Sequence, residues 1–281
     1  MPLFVDKCIL CKNEHILRDS RAEYYLSLPN NRTVVRCKRC GLRWLRPMPT
    51  EEEYREFYKL YFDCLPEDYD QVVQGRLPCY RDRIERLKNL LGCNDFSILD
   101  IGAGTGEFVF EAQRAGLRPT GIELSAEACQ KAFQKYGLHL INGDLSLLSR
   151  QENFDVVHMH HVFEHLVQPL EMLNELERVL SPDGYLVIEV PYQFDNWMEI
   201  IQKALLRGKP RPYSVYSIHH PFFYSPSAIK NLLSRRLEIV SLITRTGIQS
   251  PSFMGKLSIL IGDKLLNRGG TVEVIARKYK I

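Results

Sequence analysis

Three groups of residues in this 281-residue chain have the types and spacing that chemistry needs. The first is a glycine-rich turn, Asp100-Ile101-Gly102-Ala103-Gly104-Thr105-Gly106. Glycines at alternate positions let the backbone approach a ligand where any Cβ would collide. A helix that begins there adds unpaired N–H groups and the positive end of its dipole. The second group is four cysteines in two CxxC pairs, Cys8 with Cys11 and Cys37 with Cys40. Four thiolates can surround Zn2+ tetrahedrally and leave no open position, so this centre reads as structural. The third is histidine: His158, His160, His161 and His165 in one run, with Glu164 beside the last, and His219-His220 in another. Imidazole, with an ordinary pKa of about 6.5, suits proton transfer near neutrality.

The elements that must position these groups follow from periodicity. Strands are expected at Ser97–Ile101, Arg118–Leu124, Leu138–Asn142, Phe154–Met159, Tyr185–Val190, Leu237–Thr244 and Thr271–Arg277. Between them lie a helix after the glycine turn, a helix Ala126–Tyr136 capped by Ser125, and a helix Pro169–Leu180. A type I turn is expected at Ser181-Pro182-Asp183-Gly184, and Ser225 with Pro226 opens a further helix. Upstream, Thr50 and Glu53 form a capping box for a helix over Tyr54–Phe62. Pro66–Gly75 reads as a polar connector and Tyr80–Leu91 as a second helix. The alternation predicts an α/β fold: a seven-stranded, mostly parallel sheet with helices on both faces, preceded by a small zinc-ribbon module. The expected divisions are residues 1–49 for the ribbon, 50–91 for a helical connector, and 92–281 for the α/β domain. An irregular aromatic insertion spans 191–221.

In open parallel sheets, ligands sit beyond the carboxyl ends of the strands. Glu123 ends the second strand, where a carboxylate accepts from ribose hydroxyls. Asp144 follows the third, where an adenine amino group would lie. The glycine spacing departs from the dinucleotide pattern G-x-G-x-x-G. Asp100, two residues before the first glycine, is poorly placed beside a pyrophosphate and suits a cofactor with an ammonium group and no phosphate.

Composition narrows the classes. The chain is 45% hydrophobic and 25% charged, with net charge +3, an ordinary balance for a globular protein. That charge argues against a dedicated nucleic-acid binder or a membrane-surface protein. The amino end lacks the apolar stretch of a secretion signal, and no apolar run nears the roughly 18 residues of a spanning helix. A cytoplasmic protein is expected, in which paired cysteines bind metal rather than form disulfides. The remaining cysteines are scattered.

Leu99-Asp100-Ile101-Gly102-Ala103-Gly104-Thr105-Gly106 resembles the first motif of the Rossmann-like S-adenosylmethionine (SAM) methyltransferases. Phe154-Asp155-Val156-Val157-His158 and Leu180-Ser181-Pro182-Asp183-Gly184-Tyr185 resemble that superfamily's fourth and fifth strand motifs. The resemblance covers roughly residues 80–281. It implies that Asp100 holds the methionine end of SAM, Glu123 the ribose and Asp144 the adenine. It further implies cofactor contacts from Gly102, Ala103, Gly104 and Gly106, from Leu124 and Leu145, and from His160 and His161.

The first cysteine-bearing segment sharpens this. Val35-Arg36-Cys37-Lys38-Arg39-Cys40-Gly41-Leu42-Arg43-Trp44, Pro47-Met48-Pro49-Thr50, Tyr54 and Phe57-Tyr58 are similar to a subfamily with an N-terminal zinc domain. It includes sugar C-methyltransferases and enzymes of surface-polysaccharide pathways. The resemblance implies a sugar or other small-molecule acceptor, nucleotide-linked or lipid-linked, methylated on oxygen, carbon or nitrogen. His220, in His219-His220-Pro221-Phe222-Phe223-Tyr224-Ser225, falls on the family's basic histidine. Glu164 and His165 match a motif of sugar and quinone methyltransferases. The family often has Glu just before the basic histidine; here His219 stands there. The aromatics Tyr192, Phe194, Trp197, Tyr213, Tyr216, Phe222 and Phe223 suit either stacking on a substrate or a hydrophobic lid. Lys203, Arg207, Lys209 and Arg211 suit either phosphates or a solvated face. Two other readings stand beside this one: a ribosomal-RNA methyltransferase with a zinc ribbon, which the low net charge disfavours, and a non-catalytic scaffold.

Overall fold

The computed structural model describes residues 5–26, 32–50, 52–54, 56, 69–197, 200, 220–246, 257 and 259–279. Two sheets organise them. The smaller has order β1-β2-β3-β9, built from β1 (Ile16–Arg18), β2 (Thr33–Cys37), β3 (Arg43–Arg46) and β9 (Phe222–Phe223). The larger has seven strands in the order β10-β11-β8-β7-β4-β5-β6. These are β4 (Ser97–Ile101), β5 (Arg118–Glu123), β6 (Ile141–Asn142), β7 (Phe154–His160), β8 (Leu180–Pro191), β10 (Leu237–Arg245) and β11 (Thr271–Lys278). It is mostly parallel and flanked by helices: β4 pairs in parallel with β5 and β7, and β5 with β6.

The chain comprises two compact units. One comprises Met1–Tyr54, His161–Met172 and Ile188–Ala276; the other comprises Arg55–His160, Leu173–Val187 and Arg277–Ile281.

In the second unit, α2 (Tyr69–Leu91) presents Tyr80, Ile84 and Leu87 as its buried face. α3 (Glu107–Arg114) starts at Gly106, and α4 (Ala126–Tyr136) is capped by Ser125, whose side chain accepts from Ala128 N–H. Gly121 in β5 is required by packing: a Cβ there would lie 2.5 Å from Leu140 and 2.9 Å from Val109. Three expectations are corrected. The helix begins at Tyr69, not Tyr80, and so absorbs 69–75 of the supposed connector, with Pro78 inside it. The third strand shrinks to Ile141–Asn142, because Leu138 N–H closes the end of α4 on the Ala132 carbonyl. Helix α5 (Pro169–Val179) passes directly into β8, so 181–184 is strand rather than a type I turn. Gly184 permits this: a Cβ would stand 3.0 and 3.1 Å from the carbonyl oxygens of Phe154 and Asp155.

In the first unit, the cysteine segment is more than two knuckles around a polar stretch. It forms three strands and α1 (Ser20–Leu26). It also has an apolar core: Ala22, Leu26, Val34 and Leu45 pack with Phe194 and Phe223. The segment thus borrows core residues from far along the chain. The capping box forms as expected, with Glu53 N–H donating to Thr50 Oγ1 (3.2 Å) and Thr50 N–H to Glu53 Oε2 (2.7 Å). Of the Tyr54–Phe62 helix, all but Tyr54 and Glu56 lie outside the described residues. Most of 191–221 lies outside them too, including Tyr213, Tyr216, His219 and the four basic residues.

Candidate functional site

The glycine turn occupies the loop between β4 and α3. Gly102, Gly104 and Gly106 all have positive φ (70°, 56° and 85°), a region costly for residues bearing a Cβ. The N–H groups of Gly102 and Ala103 donate to the Ile122 carbonyl at 2.8 and 3.0 Å, anchoring the turn to β5. At Gly106 a Cβ would sit 2.9 Å from Leu138 and 3.1 Å from Ala132, so this glycine serves packing. At Gly104 a Cβ would meet nothing within 4 Å. The turn is therefore locked on one side and open on the other, a fit for a ligand laid along the backbone.

Glu123 ends β5 and braces this turn. Its Oε2 accepts from Gly104 N–H at 2.8 Å and its Oε1 from Ser125 N–H at 2.9 Å. Each carboxylate oxygen keeps lone-pair capacity for a further donor. Leu124, next to it, is exposed. Asp144 is also exposed and caps the turn Leu145–Leu147 through Ser146 N–H at 2.8 Å. The hydrogen bonds from Ser146 hold its carboxyl below the usual range. Leu145 is buried.

Asp100 differs from both. It is 3% exposed and faces His158 across β4 and β7, where the two are register partners. His158 Nδ1 lies 2.7 Å from Asp100 Oδ1, and Arg83 Nη1 lies 2.9 Å from His158 Nε2. Burial pushes the Asp100 carboxyl up to about 8, against the pull of the Arg83 charge. Phe108 stacks on His158, and the Tyr80 hydroxyl lies 3.3 Å from His160 Nδ1. Sequence reasoning missed Arg83 and Tyr80. They stand on a helix tens of positions from their partners, and only the β4–β7 register reveals the connection.

A second cluster lies in the other unit. Glu164, His165 and His220 bring ligand-capable atoms within 4.8 Å of one another. His220 precedes β9, which pairs antiparallel with β3 at Trp44↔Phe222 and Arg43↔Phe223; Leu45 N–H donates to the Pro221 carbonyl. The ribbon sheet thus positions His220. Its Nδ1 is 3.2 Å from Gln193 Oε1, an acceptor, so Nδ1 carries the hydrogen and Nε2 the lone pair. Burial, then the neighbouring His165, push its pKa down to about 3, although Glu164 pulls the other way. Burial opposes the charge of Glu164 as well. A hydrogen bond from His161 (3.2 Å) and the nearby imidazoles outweigh it and hold the carboxyl at about 2. Glu164 Oε2 is buried with no hydrogen-bond partner. The Glu164 carboxylate thus stands among the His161, His165 and His220 imidazoles. His161 has a positive φ of 56° and its N–H donates to the Glu189 carbonyl.

The four cysteines converge as the spacing predicts. Cys8 and Cys40 Sγ are 3.5 Å apart, as are Cys11 and Cys37, and all four lie within 4.8 Å. Thiolates about 2.3 Å from a tetrahedral zinc stand about 3.8 Å apart, so the donor set fits. The aromatics are corrected toward packing: Tyr192, Phe194, Phe222 and Phe223 are buried and offer no face for stacking on a substrate.

Comparison with known proteins identifies the family and the fold. A family model described as a methyltransferase domain matches residues 69–241. Among sequence relatives, a ubiquinone biosynthesis O-methyltransferase of Hydrogenovibrio crunogenus is 26% identical over 110 residues, covering 37% of this chain and 46% of that protein. The chain thus matches about half the length of that relative. Among solved structures, a 1,6-didemethyltoxoflavin-N1-methyltransferase of Burkholderia thailandensis, with its substrate and S-adenosylhomocysteine (SAH), has TM-score 0.56 at 17% identity, covering 90% of this chain and 98% of that one. A plantazolicin methyltransferase in complex with SAH has TM-score 0.54 at 20% identity, covering 82% and 92%. These likenesses establish the fold. No helix among the described residues is long and apolar enough to cross a membrane.

Proposed function

The chain belongs to the methyltransferase-domain family, and on that premise we propose that it transfers a methyl group from SAM to a small-molecule acceptor, a sugar or sugar derivative. The observation that carries the cofactor is the open side of the glycine turn at Gly104, with Glu123 bracing it and Asp100 and Asp144 at neighbouring strands. When bound, SAM supplies a sulfonium-activated methyl group that is already strongly electrophilic. The chain's own residues then align the acceptor and exclude water.

Asp100 receives the cofactor's ammonium, Glu123 the ribose hydroxyls and Asp144 the adenine amino group. Leu124, Leu145, His160 and His161 line the same cofactor. His220 accepts the acceptor's proton at Nε2, the nitrogen that the Gln193 contact leaves free. Glu164 offsets the charge that His220 then acquires, and His165 stands edge-on to its ring. Cys8, Cys11, Cys37 and Cys40 hold a structural zinc ion and keep the ribbon sheet, and hence β9, in place. The likeness of the ribbon segment to sugar-pathway enzymes supports the acceptor class, and a cytoplasmic location accords with paired free cysteines.

Calorimetry with SAH tests the cofactor: micromolar binding supports the reading, and none at millimolar concentration overturns it in favour of a scaffold. A panel of nucleotide sugars, quinones and RNA, followed by mass spectrometry for a methyl gain, tests the acceptor. Methylation confined to RNA, with salt-sensitive binding, would replace the sugar reading.

A further inference from the structure

We propose that Arg83 and His158 form a fixed donor chain that sets the Asp100 carboxylate, which makes His158 a positioning residue for the cofactor's ammonium group. This rests on the reading that Asp100 receives that group.

The polarity of the chain follows from its first member. A guanidinium has only donors. Arg83 Nη1, 2.9 Å from His158 Nε2, therefore donates, and Nε2 must carry a lone pair. The ring hydrogen then sits on Nδ1, 2.7 Å from Asp100 Oδ1, and points at an acceptor. A second ring hydrogen would face the guanidinium N–H head-on, so His158 is held as the neutral Nδ1–H tautomer. Its ring has no room to turn: it is fully buried, and Phe108 stacks on it with centroids 3.7 Å apart and planes 16° from parallel.

The arrangement solves an electrostatic problem. Arg83 is 3% exposed, and its charge favours the ionised form of the buried Asp100 carboxyl. Direct pairing would take both carboxylate oxygens in the bidentate geometry that arginine favours. An imidazole interposed between them takes only Oδ1, leaves Oδ2 for a second cation, and keeps the Arg83 charge one ring-width away from that cation. The same donation favours the ionised form of Asp100 against its burial. Around the ring stand Arg83 from α2, Asp100 from β4, Phe108 from α3 and, two residues on in β7, His160, whose ring lies 6.3 Å away.

The test uses the whole protein and SAH as probe. Glutamine can replace neutral histidine here, since its amide nitrogen donates to Asp100 and its oxygen accepts from Arg83; phenylalanine fills the space and does neither. His158→Gln is expected to bind SAH within about threefold of the original protein, and His158→Phe at least about tenfold more weakly, the scale of a lost hydrogen bond to a charged group. Both are compared at matched thermal midpoints. Equal SAH affinity for His158→Phe overturns the proposal. Nitrogen-15 NMR of the ligand-free protein provides an independent reading: His158 should show one neutral Nδ1–H tautomer from pH 5.5 to 8.5 and begin to titrate in Arg83→Met. An Nε2–H tautomer, or a protonated ring near pH 6, overturns the chain whether or not SAH binds. If the tautomer is as described while SAH fails to bind the original protein, the relay stands and the cofactor reading falls.

Discussion

The Glu123 side chain accepts a 2.8 Å hydrogen bond from the backbone N–H of Gly104, tying the acid that ends β5 to the middle of the glycine turn. Its other oxygen takes Ser125 N–H at the start of α4. One carboxylate therefore shapes both the turn and the next helix before any ligand arrives. Glu123→Ala leaves two backbone donors without this partner, and we expect it to lower unfolding free energy by about 1–3 kcal/mol. SAH affinity should fall more than tenfold, whereas Glu123→Gln recovers part of the stability and little of the affinity. Urea melts and calorimetry check this; a Glu123→Ala protein that keeps both properties contradicts it.

The glycines of the turn separate by their surroundings. Gly106→Ala forces a Cβ to 2.9 Å from Leu138 at a φ of 85°, so strain and overlap add. A loss of about 2–4 kcal/mol is expected. Gly104→Ala meets no neighbour and carries only the cost of its positive φ, about 1 kcal/mol. Its larger effect should be on SAH binding, because the added methyl group fills the open side of the turn. Equal stability losses for the two variants would show that the turn is not asymmetric.

His220 should link chemistry to acid stability. His220→Ala is expected to keep SAH affinity and to lose turnover by about 10²–10⁴-fold, the range for a general base. The folded-state pKa of His220 is lowered from 6.5 to about 3. Between those values the unfolded chain binds the extra proton, so stability is complete above pH 6.5 and falls as pH drops toward 3. One proton sets a ceiling of about 1.4 kcal/mol per pH unit. Glu164, lowered from 4.5 to about 2, extends the loss at the acid end. His220→Gln should flatten the profile between pH 6.5 and 4.5; an unchanged profile would show that His220 does not carry it.

The zinc centre should matter to turnover before it matters to the cofactor. Freshly purified protein is expected to carry about one zinc per chain, and less than about half an equivalent without chelator exposure would remove the assignment. Cys37→Ser should lose the metal and lower the thermal midpoint. Turnover should drop sharply, because β3 holds β9 and β9 follows His220. SAH affinity should stay within about threefold.

Much of this was legible in the sequence where the signal is local. The glycine turn, the Thr50–Glu53 and Ser125 caps, the two CxxC pairs and the first two α/β strands each depend on residues a few positions apart. What was hidden depends on distant pairing. A two-residue strand such as Phe222–Phe223 has no periodicity to detect, and its aromatics suit a substrate face or a hydrophobic lid as well as the core they join. Arg83 reads as one of several charges on an amphipathic helix. Only when Asp100 and His158 prove to be register partners does its contact with His158 come into view. The start of that helix was hidden too, because its first turns carry few apolar residues at helical spacing and include Pro78.

The ribbon sheet is finished by residues made much later than its own. Ser227 Oγ reaches the Cys40 carbonyl at 3.3 Å across 187 residues of sequence, just beyond the strand that covers the edge of β3. At about 5–20 residues per second, a ribosome needs roughly 10–40 s to make that length. Throughout that interval the nascent segment leaves one strand edge bare, open to mispairing with a neighbouring chain. Slow translation should therefore increase aggregation of this protein in the cell, even where the finished molecule is stable.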